Sequence, residues 1–261
     1  MAIVSMFCKK GGVGKTTILG YMAHYYALQG KTILILSIDD QNSIFKVFGK
    51  EGFIDENDNN FFDNYFAGEV GKESIICDAR ENMYLMKTLN TSTLSMQLTL
   101  KRSEEKKIRN IMADFENYFD YIFIDFPPSS NRLSEILLDI SQDILLVVGL
   151  DALSLDGYKN TIQYFTDADI DLSKIRYIIP NNFNKVKRAP SQCLAQLKED
   201  VKMYTPGAVV TTPVTDLAII KNLQSEGQSI YDEVELPRFH EKNKKRAEAE
   251  FTELFKEIHL S

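Results

Sequence analysis

Two hydrophobic patterns alternate along the chain. In the first, short runs of neighbouring residues are almost all apolar, which is typical of strands buried on both faces of a sheet. In the second, apolar residues recur every three or four positions, which is typical of helices packed on a core. The first pattern predicts strands at residues 2–7, 32–38, 83–86, 121–125, 143–148, 175–179 and 208–211. The second predicts helices at residues 15–28, 93–119, 131–140, 157–165, 190–201 and 215–225.

This alternation predicts an α/β fold, a mostly parallel twisted sheet with helices on both faces. No internal repeat or long linker divides the 261 residues, so we expect one domain spanning residues 1–261. Ligands of such sheets bind beyond the carboxyl ends of the strands. We therefore expect phosphate chemistry after Phe7, Ile38 and Asp125. The acidic segment 51–60 (EGFIDENDNN) is predicted to be a solvated loop.

Charge and cysteine content narrow the class of protein. Thirty basic residues against thirty-seven acidic ones give a net charge of −7, so any DNA contact needs a local basic patch. No apolar run approaches the ~20 residues of a membrane span, and we expect a cytoplasmic protein without a membrane partner. The three cysteines, Cys8, Cys77 and Cys193, lie far apart, which argues against a disulfide framework or a zinc site.

The segment CKKGGVGKTT, residues 8–17, has the features of a phosphate-binding loop because it follows a predicted strand and opens a predicted helix. Glycines let backbone N–H groups approach phosphate oxygens, and the helix N-terminus adds partial positive charge. Lys15 can reach the β- and γ-phosphates, and the Thr16 hydroxyl can bind Mg²⁺. The predicted cradle consists of Lys10, Gly11, Gly12, Val13, Gly14, Lys15, Thr16 and Thr17.

The ordinary phosphate-loop motif requires a glycine five positions before Gly14, and Lys9 stands there. The loop fits the deviant form K-G-G-x-G-K-[ST], with Lys10 as the additional lysine. In this form the chain resembles the ParA/MinD family of deviant P-loop ATPases over nearly its whole length, and it is most similar to short ParA/Soj-type partition ATPases. The resemblance implies ATP and Mg²⁺ as cofactors, ATP hydrolysis, and an ATP-dependent homodimer in which Lys10 reaches the partner's nucleotide.

Residues 32–43 (TILILSIDDQNS) resemble the family's second strand and its D-x-D-P-Q segment. The resemblance implies that Asp39 matches the family's aspartate that positions the attacking water. It also implies that Asp39 lies at the metal site. The chain departs from the pattern at Ser37, which replaces the first aspartate, and at Asp40, which replaces the proline. The alternative is that Asp39 and Asp40 only cap a helix.

Two later segments complete the predicted nucleotide site. Residues 119–129 (FDYIFIDFPPS) resemble the family's Walker B strand. A carboxylate buried at a strand end requires a compensating partner, so Asp125 is predicted to lie beside Mg²⁺, through water. Residues 177–184 (YIIPNNFN) resemble the family segment whose asparagine faces adenine. An asparagine amide suits this role because it can pair with both the donor and the acceptor atoms of the base. Asn181 is the first candidate for the contact with adenine, and Asn182 is the second. The alternative is that the asparagine is only a turn residue.

The resemblance implies a partition ATPase whose ATP-bound dimer binds DNA without sequence preference and associates with the nucleoid. A ParB-like centromere-binding partner is expected to stimulate its hydrolysis. Lys185, Lys187 and Arg188, predicted to lie in a loop, are candidate DNA contacts, with Lys221 as a weaker one. A second basic cluster, residues 242–246, is predicted to precede the last helix. Solvated surface is the alternative for both clusters.

Two further functions stay open at this point. One is a MinD-like positioning ATPase on a membrane, but four glutamates on the last helix would be repelled by anionic lipid. We therefore expect that helix to pack against the core through Phe251, Leu254, Phe255 and Ile258. The other is a nucleotide-dependent regulator that no longer hydrolyses ATP, because Ser37 and Asp40 depart from the family pattern.

Overall fold

The computed structural model describes residues 2–55, 57–184 and 186–261, and it leaves the side chain of Arg102 undescribed. Within these residues eight strands form one sheet in the order β3-β4-β2-β5-β1-β6-β7-β8. All neighbouring strands are parallel except β3 and β4. The strands are β1 (Ala2–Phe7), β2 (Ile33–Ser37), β3 (Cys77–Arg80), β4 (Met83–Lys87), β5 (Tyr121–Asp125), β6 (Asp143–Gly149), β7 (Ile175–Asn181) and β8 (Val209–Val210).

Helices cover both faces of this sheet, which confirms the predicted fold class. The helices are α1 (Lys15–Ala27), α2 (Ser43–Val47), α3 (Phe62–Ala67), α4 (Thr91–Leu100), α5 (Arg102–Phe115), α6 (Arg132–Ile140), α7 (Ala152–Asp167), α8 (Arg188–Tyr204), α9 (Ala218–Ser225) and α10 (Arg238–Glu257). Helices α1, α2, α9 and α10 share one apolar core, and α3 to α8 share the other. None of the helices in the described ranges combines the length and apolarity needed to cross a bilayer.

Two predictions of secondary structure were wrong in the first half of the chain. The helix predicted at 93–119 is two helices, α4 and α5, which are separated at Lys101. The polar run 101–107 carries no apolar residue, so no continuous stripe holds one straight helix on the core. Strand β3 was not predicted, because its residues alternate between buried and exposed over only four positions. A turn with Asn82 at φ 58° joins it to β4.

The basic clusters lie only partly in the predicted elements. Lys187 is in the loop before α8, as predicted, but Arg188 is the first residue of α8. Residues 242–246 lie inside α10 and do not precede it. The predicted packing of α10 is correct, since Phe251, Leu254 and Phe255 are buried.

The sheet register determines where the site forms. Met6 of β1 and Ser37 of β2 both pair with Asp125 of β5, so three strands end side by side. From β1 the chain continues to β2 on one side, and from β5 it continues to β6 on the other side of β1. The loop after β1 therefore lies at the point where the strand order reverses, which is where ligands of such sheets bind.

The chain after α9 is fastened to the end of α2. Arg80 forms an ion pair with Asp232 at 2.6 Å and donates to the carbonyl oxygens of Phe48 (3.2 Å) and Gly227 (3.1 Å). Gly49 and Gly227 lie against each other, and a Cβ on Gly227 would be 2.4 Å from the Gly49 Cα. We call this contact, made by Phe48, Gly49, Arg80, Gly227 and Asp232, the glycine clasp.

Replacing Gly227 with alanine should destabilise the protein more than the matched replacement Gly30→Ala. Both glycines have positive φ (64° and 79°), but nothing lies within 4 Å of a Cβ on Gly30. Gly30→Ala should cost only backbone strain, about 1–2 kcal/mol. Gly227→Ala adds a collision with backbone, for about 2–5 kcal/mol in total. Urea unfolding of both variants measures the difference, and equal losses would contradict the close packing of the clasp.

Candidate functional site

The loop between β1 and α1 requires glycine at Gly12 and Gly14. Their φ angles of 74° and 95° lie in the left-handed region that side chains disfavour. At Gly14 there is also no room, because a Cβ there would be 2.4 Å from the Asn181 Nδ2. At Gly12 a Cβ would meet nothing within 4 Å, so that side of the loop faces open space. The local chain therefore has the conformation and the access that a phosphate cradle needs.

Lys15 is the first residue of α1, and its side chain reaches back into this loop, so that the residue is only 6% exposed. Its Nζ donates to the carbonyl oxygens of Cys8 at 3.3 Å and Lys10 at 3.2 Å. Burial lowers the pKa of Lys15, and the nearby charges of Asp125 and Asp39 oppose that lowering. One cation and two carboxylates are thus gathered where the ends of β1, β2 and β5 meet.

Asp125 is fully buried, and the Thr16 hydroxyl bonds both its oxygens, at 3.1 Å to Oδ1 and 2.9 Å to Oδ2. Burial raises the pKa of Asp125 to about 7, although the Thr16 hydrogen bond and the Lys15 charge act in the opposite direction. A buried carboxylate with so little compensation is stabilised by a bound cation. A carboxylate beside a hydroxyl is also an oxygen donor set suited to Mg²⁺. The residues present therefore fit a magnesium ion.

Asp39 and Asp40 have different surroundings. The carboxylate of Asp39 is half-buried and accepts the N–H of Gln41 at 3.0 Å. Asp40 is exposed and accepts the N–H of Thr91, the first residue of α4, at 3.0 Å. The capping alternative therefore describes Asp40, and Asp39 lies close enough to affect Lys15. Ser37 is buried, and its hydroxyl donates to the carbonyl oxygen of Asp39 at 3.3 Å.

A cavity of about 170 Å³ opens beside the loop and is walled by α9. Asn181 lies at its inner edge, where its Nδ2 donates to the carbonyl oxygen of Val13 at 2.8 Å. Asn182 adopts a left-handed conformation, with φ 60°. Lys221, a candidate DNA contact, also lines this cavity. The lining residues are Gly12, Gly14, Thr17, Ile18, Asn181, Asn182, Thr215, Asp216, Leu217, Ile220, Lys221, Gln224 and Phe251.

Two other candidate DNA contacts, Lys187 and Arg188, do not line this cavity. Lys187 and Arg188 are exposed where α8 begins. Lys185 lies outside the described residues. A larger groove of about 660 Å³ runs between α8 and β8, but none of the phosphate-loop residues lines it.

Sequence reasoning missed the residues that support the loop from outside. Gln224 of α9 donates to the Thr17 hydroxyl at 2.9 Å. Gly157 and Thr161 of α7 lie against residues 8–10. One signal was available in the sequence, because an isolated glycine within a helical pattern usually has a packing or functional reason.

Comparison with known proteins assigns the family. A family model described as an AAA domain matches residues 1–175 of this chain. The chain belongs to the ParA/MinD family of ATPases. The cell division protein PomZ of Myxococcus xanthus is 25% identical over 85% of this chain and 69% of its own length. The sporulation initiation inhibitor protein Soj of Bacillus subtilis is 23% identical over 87% of this chain and 89% of its own length.

Solved structures share the fold of this ParA/MinD-family chain at lower sequence identity. A complex of a Cyanothece McdA variant with ATP superposes with a TM-score of 0.78 at 16% identity, covering 100% of this chain and 98% of that one. A Borrelia burgdorferi putative plasmid partition protein bound to AMPPNP gives 0.75 at 17%, covering 98% and 99%. The Mycobacterium smegmatis cobyrinic acid a,c-diamide synthase with an ATP analogue and magnesium gives 0.66 at 18%, covering 76% and 82%. ATP or an ATP analogue is bound in these three structures and magnesium in the last, which supports the ATP and Mg²⁺ predicted from the sequence.

Replacing Asp125 with asparagine should remove a pH-dependent loss of stability. Because burial raises the Asp125 pKa from 3.8 to about 7, folding favours its protonated form. The free energy of unfolding of the parental protein should therefore fall as pH rises from about 4 to about 7, by roughly 2–4 kcal/mol from this residue. The neutral asparagine should not show this fall. Urea unfolding at pH 5 and pH 8, without nucleotide or Mg²⁺, measures it.

Other titrating groups, such as His24, are common to both proteins and cancel in the difference between the two stability curves. Stability curves that run parallel from pH 5 to pH 8 would contradict the buried, uncompensated state of Asp125.

Proposed function

We propose that this chain is a partition ATPase that couples ATP binding to dimerisation and DNA binding. The observation that carries the proposal is the arrangement of Lys15, Thr16, Asp39 and Asp125 at the ends of three adjacent strands, beside an open cavity. The combination of a buried ammonium, a hydroxyl paired with a buried carboxylate, and a second carboxylate nearby is suited to phosphate hydrolysis. The relatives named chromosome-partitioning ATPase and plasmid partition protein support the same class.

Each residue has a distinct role in this proposal. The loop amides of residues 11–17 and Lys15 bind the phosphates, and Thr16 and Asp125 hold Mg²⁺, which neutralises charge on the phosphates when bound. Asp39 orients the attacking water, since it is half-buried and its charge lies near the Lys15 ammonium. The base occupies the cavity beside Asn181 and Asn182. Ser37, which stands where the family pattern has an aspartate, holds Asp39 in position by donating to its carbonyl oxygen.

Lys10 connects nucleotide state to association. It is half-buried, and it makes no ion pair with any residue in the described part of the chain. Its carbonyl oxygen accepts the Lys15 ammonium, so its backbone belongs to the cradle although its side chain does not. A second cation reaching the nucleotide of a partner subunit would stabilise charge that develops during phosphoryl transfer. ATP would then hold the dimer together and hydrolysis would release it.

DNA binding is proposed for exposed cations on the dimer. Lys187 and Arg188 form no ion pair within the described ranges, so their charge is available to phosphates. The first nine residues of α10 are a second candidate surface, because none of them is buried and they carry five basic residues and one acidic residue. Phosphate contacts of this kind are independent of sequence and sensitive to salt. We propose a cytoplasmic protein that associates with the nucleoid when ATP is bound, and a ParB-like partner that stimulates hydrolysis.

A membrane-bound positioning ATPase is the weaker candidate. The apolar side of α10, with Ala247, Phe251 and Leu254, is buried in the core and cannot enter a bilayer without unpacking. The second alternative is a regulator that does not hydrolyse ATP. The ATPase rate of the parental protein, measured with and without DNA, distinguishes it from a partition ATPase.

Replacing Lys10 with alanine should weaken the ATP-dependent dimer but leave ATP binding to the monomer intact. A charge-assisted contact to phosphate contributes ~1.5–3 kcal/mol, and a symmetric dimer contains two. The dimer dissociation constant should therefore rise at least roughly tenfold. The matched variant Asp39→Ala should have the opposite phenotype, a stable dimer that does not turn over ATP. Sedimentation with ATP, alongside calorimetric ATP affinity, measures both. Parental dimerisation of Lys10→Ala would sink the proposed switch.

Two double variants, each removing two positive charges, locate the DNA surface. Lys187→Ala with Arg188→Ala should weaken binding to all sequences alike and lower the salt slope by roughly two for each subunit that contacts DNA. Lys242→Ala with Arg246→Ala should have a smaller effect if α8 carries the surface. If the α10 double variant weakens binding more than the α8 double variant, the DNA surface lies on α10. Small and equal effects of both would indicate that binding depends only on the net charge of the protein. Fluorescence anisotropy over a salt series is the measurement.

A further inference from the structure

The front of the phosphate loop, residues 8–10, lies against one side of α7. Three residues of α7, spaced three or four positions apart, make the contacts. A Cβ on Gly157 would lie 2.8 Å from the Lys10 Cβ, so Lys10 occupies the space left by the missing side chain. The Thr161 hydroxyl accepts the N–H of Lys9 at 3.0 Å. The Tyr164 ring lies 4.6 Å from the Lys9 Nζ.

The same residues are held from the opposite side by Lys15. Its ammonium donates to the carbonyl oxygens of Cys8 and Lys10, so the backbone of residues 8–10 is bonded on both sides. Helix α7 is itself anchored where it begins. The Asp151 carboxylate accepts the N–H of Ser154 at 3.0 Å and its hydroxyl at 2.7 Å. The point at which the Lys10 side chain leaves the loop is therefore set by α7.

A glycine in the interior of a helix is unfavourable, because it loses more conformational freedom on folding than alanine does. Gly157 is buried in the interior of α7, so it lowers the stability of this helix relative to alanine. Stability of the helix alone would favour alanine here. The contact with the Lys10 Cβ supplies the reason for glycine, since any larger residue would push Lys10 away from its path along the helix.

We propose that Gly157 is a positioning residue for Lys10, and that α7 thereby controls whether ATP binding leads to dimerisation. The inference rests on the proposed function, in which Lys10 reaches the nucleotide of a partner subunit. We expect no direct part for Gly157 in binding the nucleotide of its own subunit, because the three atoms nearest to a Cβ at Gly157 all belong to Lys10 and none belongs to Lys15, Thr16 or the loop glycines.

The decisive variant is Gly157→Ala. A helix glycine with no positioning role should tolerate alanine, with a more stable protein and an unchanged dimer. We expect instead that the ATP affinity of the monomer is retained, and that the ATP-dependent dimer weakens roughly tenfold or more, as for Lys10→Ala. Asn160→Ala, an exposed change on the same helix, is the matched control and should dimerise as the parental protein does. Sedimentation with ATP gives the dimer dissociation constant, and calorimetric titration of ATP into the nucleotide-free monomer gives the ATP affinity.

A double-mutant cycle tests whether Gly157 acts through Lys10. If it does, adding Gly157→Ala to Lys10→Ala should cause no further loss of dimerisation. Losses that add in full would overturn the inference, as would a Gly157→Ala protein that dimerises normally while Lys10→Ala does not. If Lys10→Ala itself dimerises normally, the proposed switch fails and this inference with it.

Circular dichroism checks that Gly157→Ala folds. If it does not, Thr161→Val provides the test, because it keeps the side-chain shape but removes the acceptor of the Lys9 N–H. That variant should also lose dimerisation while it keeps monomer ATP binding. A folded Thr161→Val protein with a parental dimer would then count against positioning by α7.

Discussion

A carboxylate buried at the end of β5 is the group on which the arrangement of the site depends. Asp125 has no solvent exposure, and its charge can be compensated only by what the neighbouring strands bring to it. The parallel register of β1, β2 and β5 brings the loop after β1 within reach, with the Thr16 hydroxyl and the Lys15 ammonium. The glycines, the loop and the adjoining cavity follow from that placement, because the loop has to pass over the ends of the strands.

Lys15 links two events that are usually considered separately. Its ammonium holds the backbone of residues 8–10, and it is also the cation expected to meet the nucleotide phosphates. Nucleotide binding and the placement of Lys10 therefore depend on the same side chain. On the outer side α7 holds these residues through Gly157 and Thr161, and the Lys9 Nζ also donates to the Ser130 hydroxyl at 3.2 Å.

The sequence predicted the central part of the fold and the loop well, because those features depend on local patterns. Buried strands such as β1 and β5 have continuous apolar runs, and the glycine-rich loop has a fixed spacing. Strand β3 depends on which neighbours cover it, which a single sequence does not contain. The break at Lys101 did have a signal in the sequence, the polar run 101–107, but the apolar spacing on either side of it predicted one continuous helix. The contact between Gly157 and Lys10 joins residues 147 positions apart, so only the folded chain brings it to light.

The glycine clasp has a mechanical consequence for this arrangement. The stretch from Asp40 to Gly49 is fixed at one end by the bond to Thr91 and at the other by the contact with Gly227. It contains α2, so it has little slack with which to absorb a shift. The stretch is a rigid connection between the segment that carries Asp39, the residue proposed to orient water, and the chain that follows α9. A displacement of the Asp39 segment would be transmitted along this rigid connection toward α9 and α10.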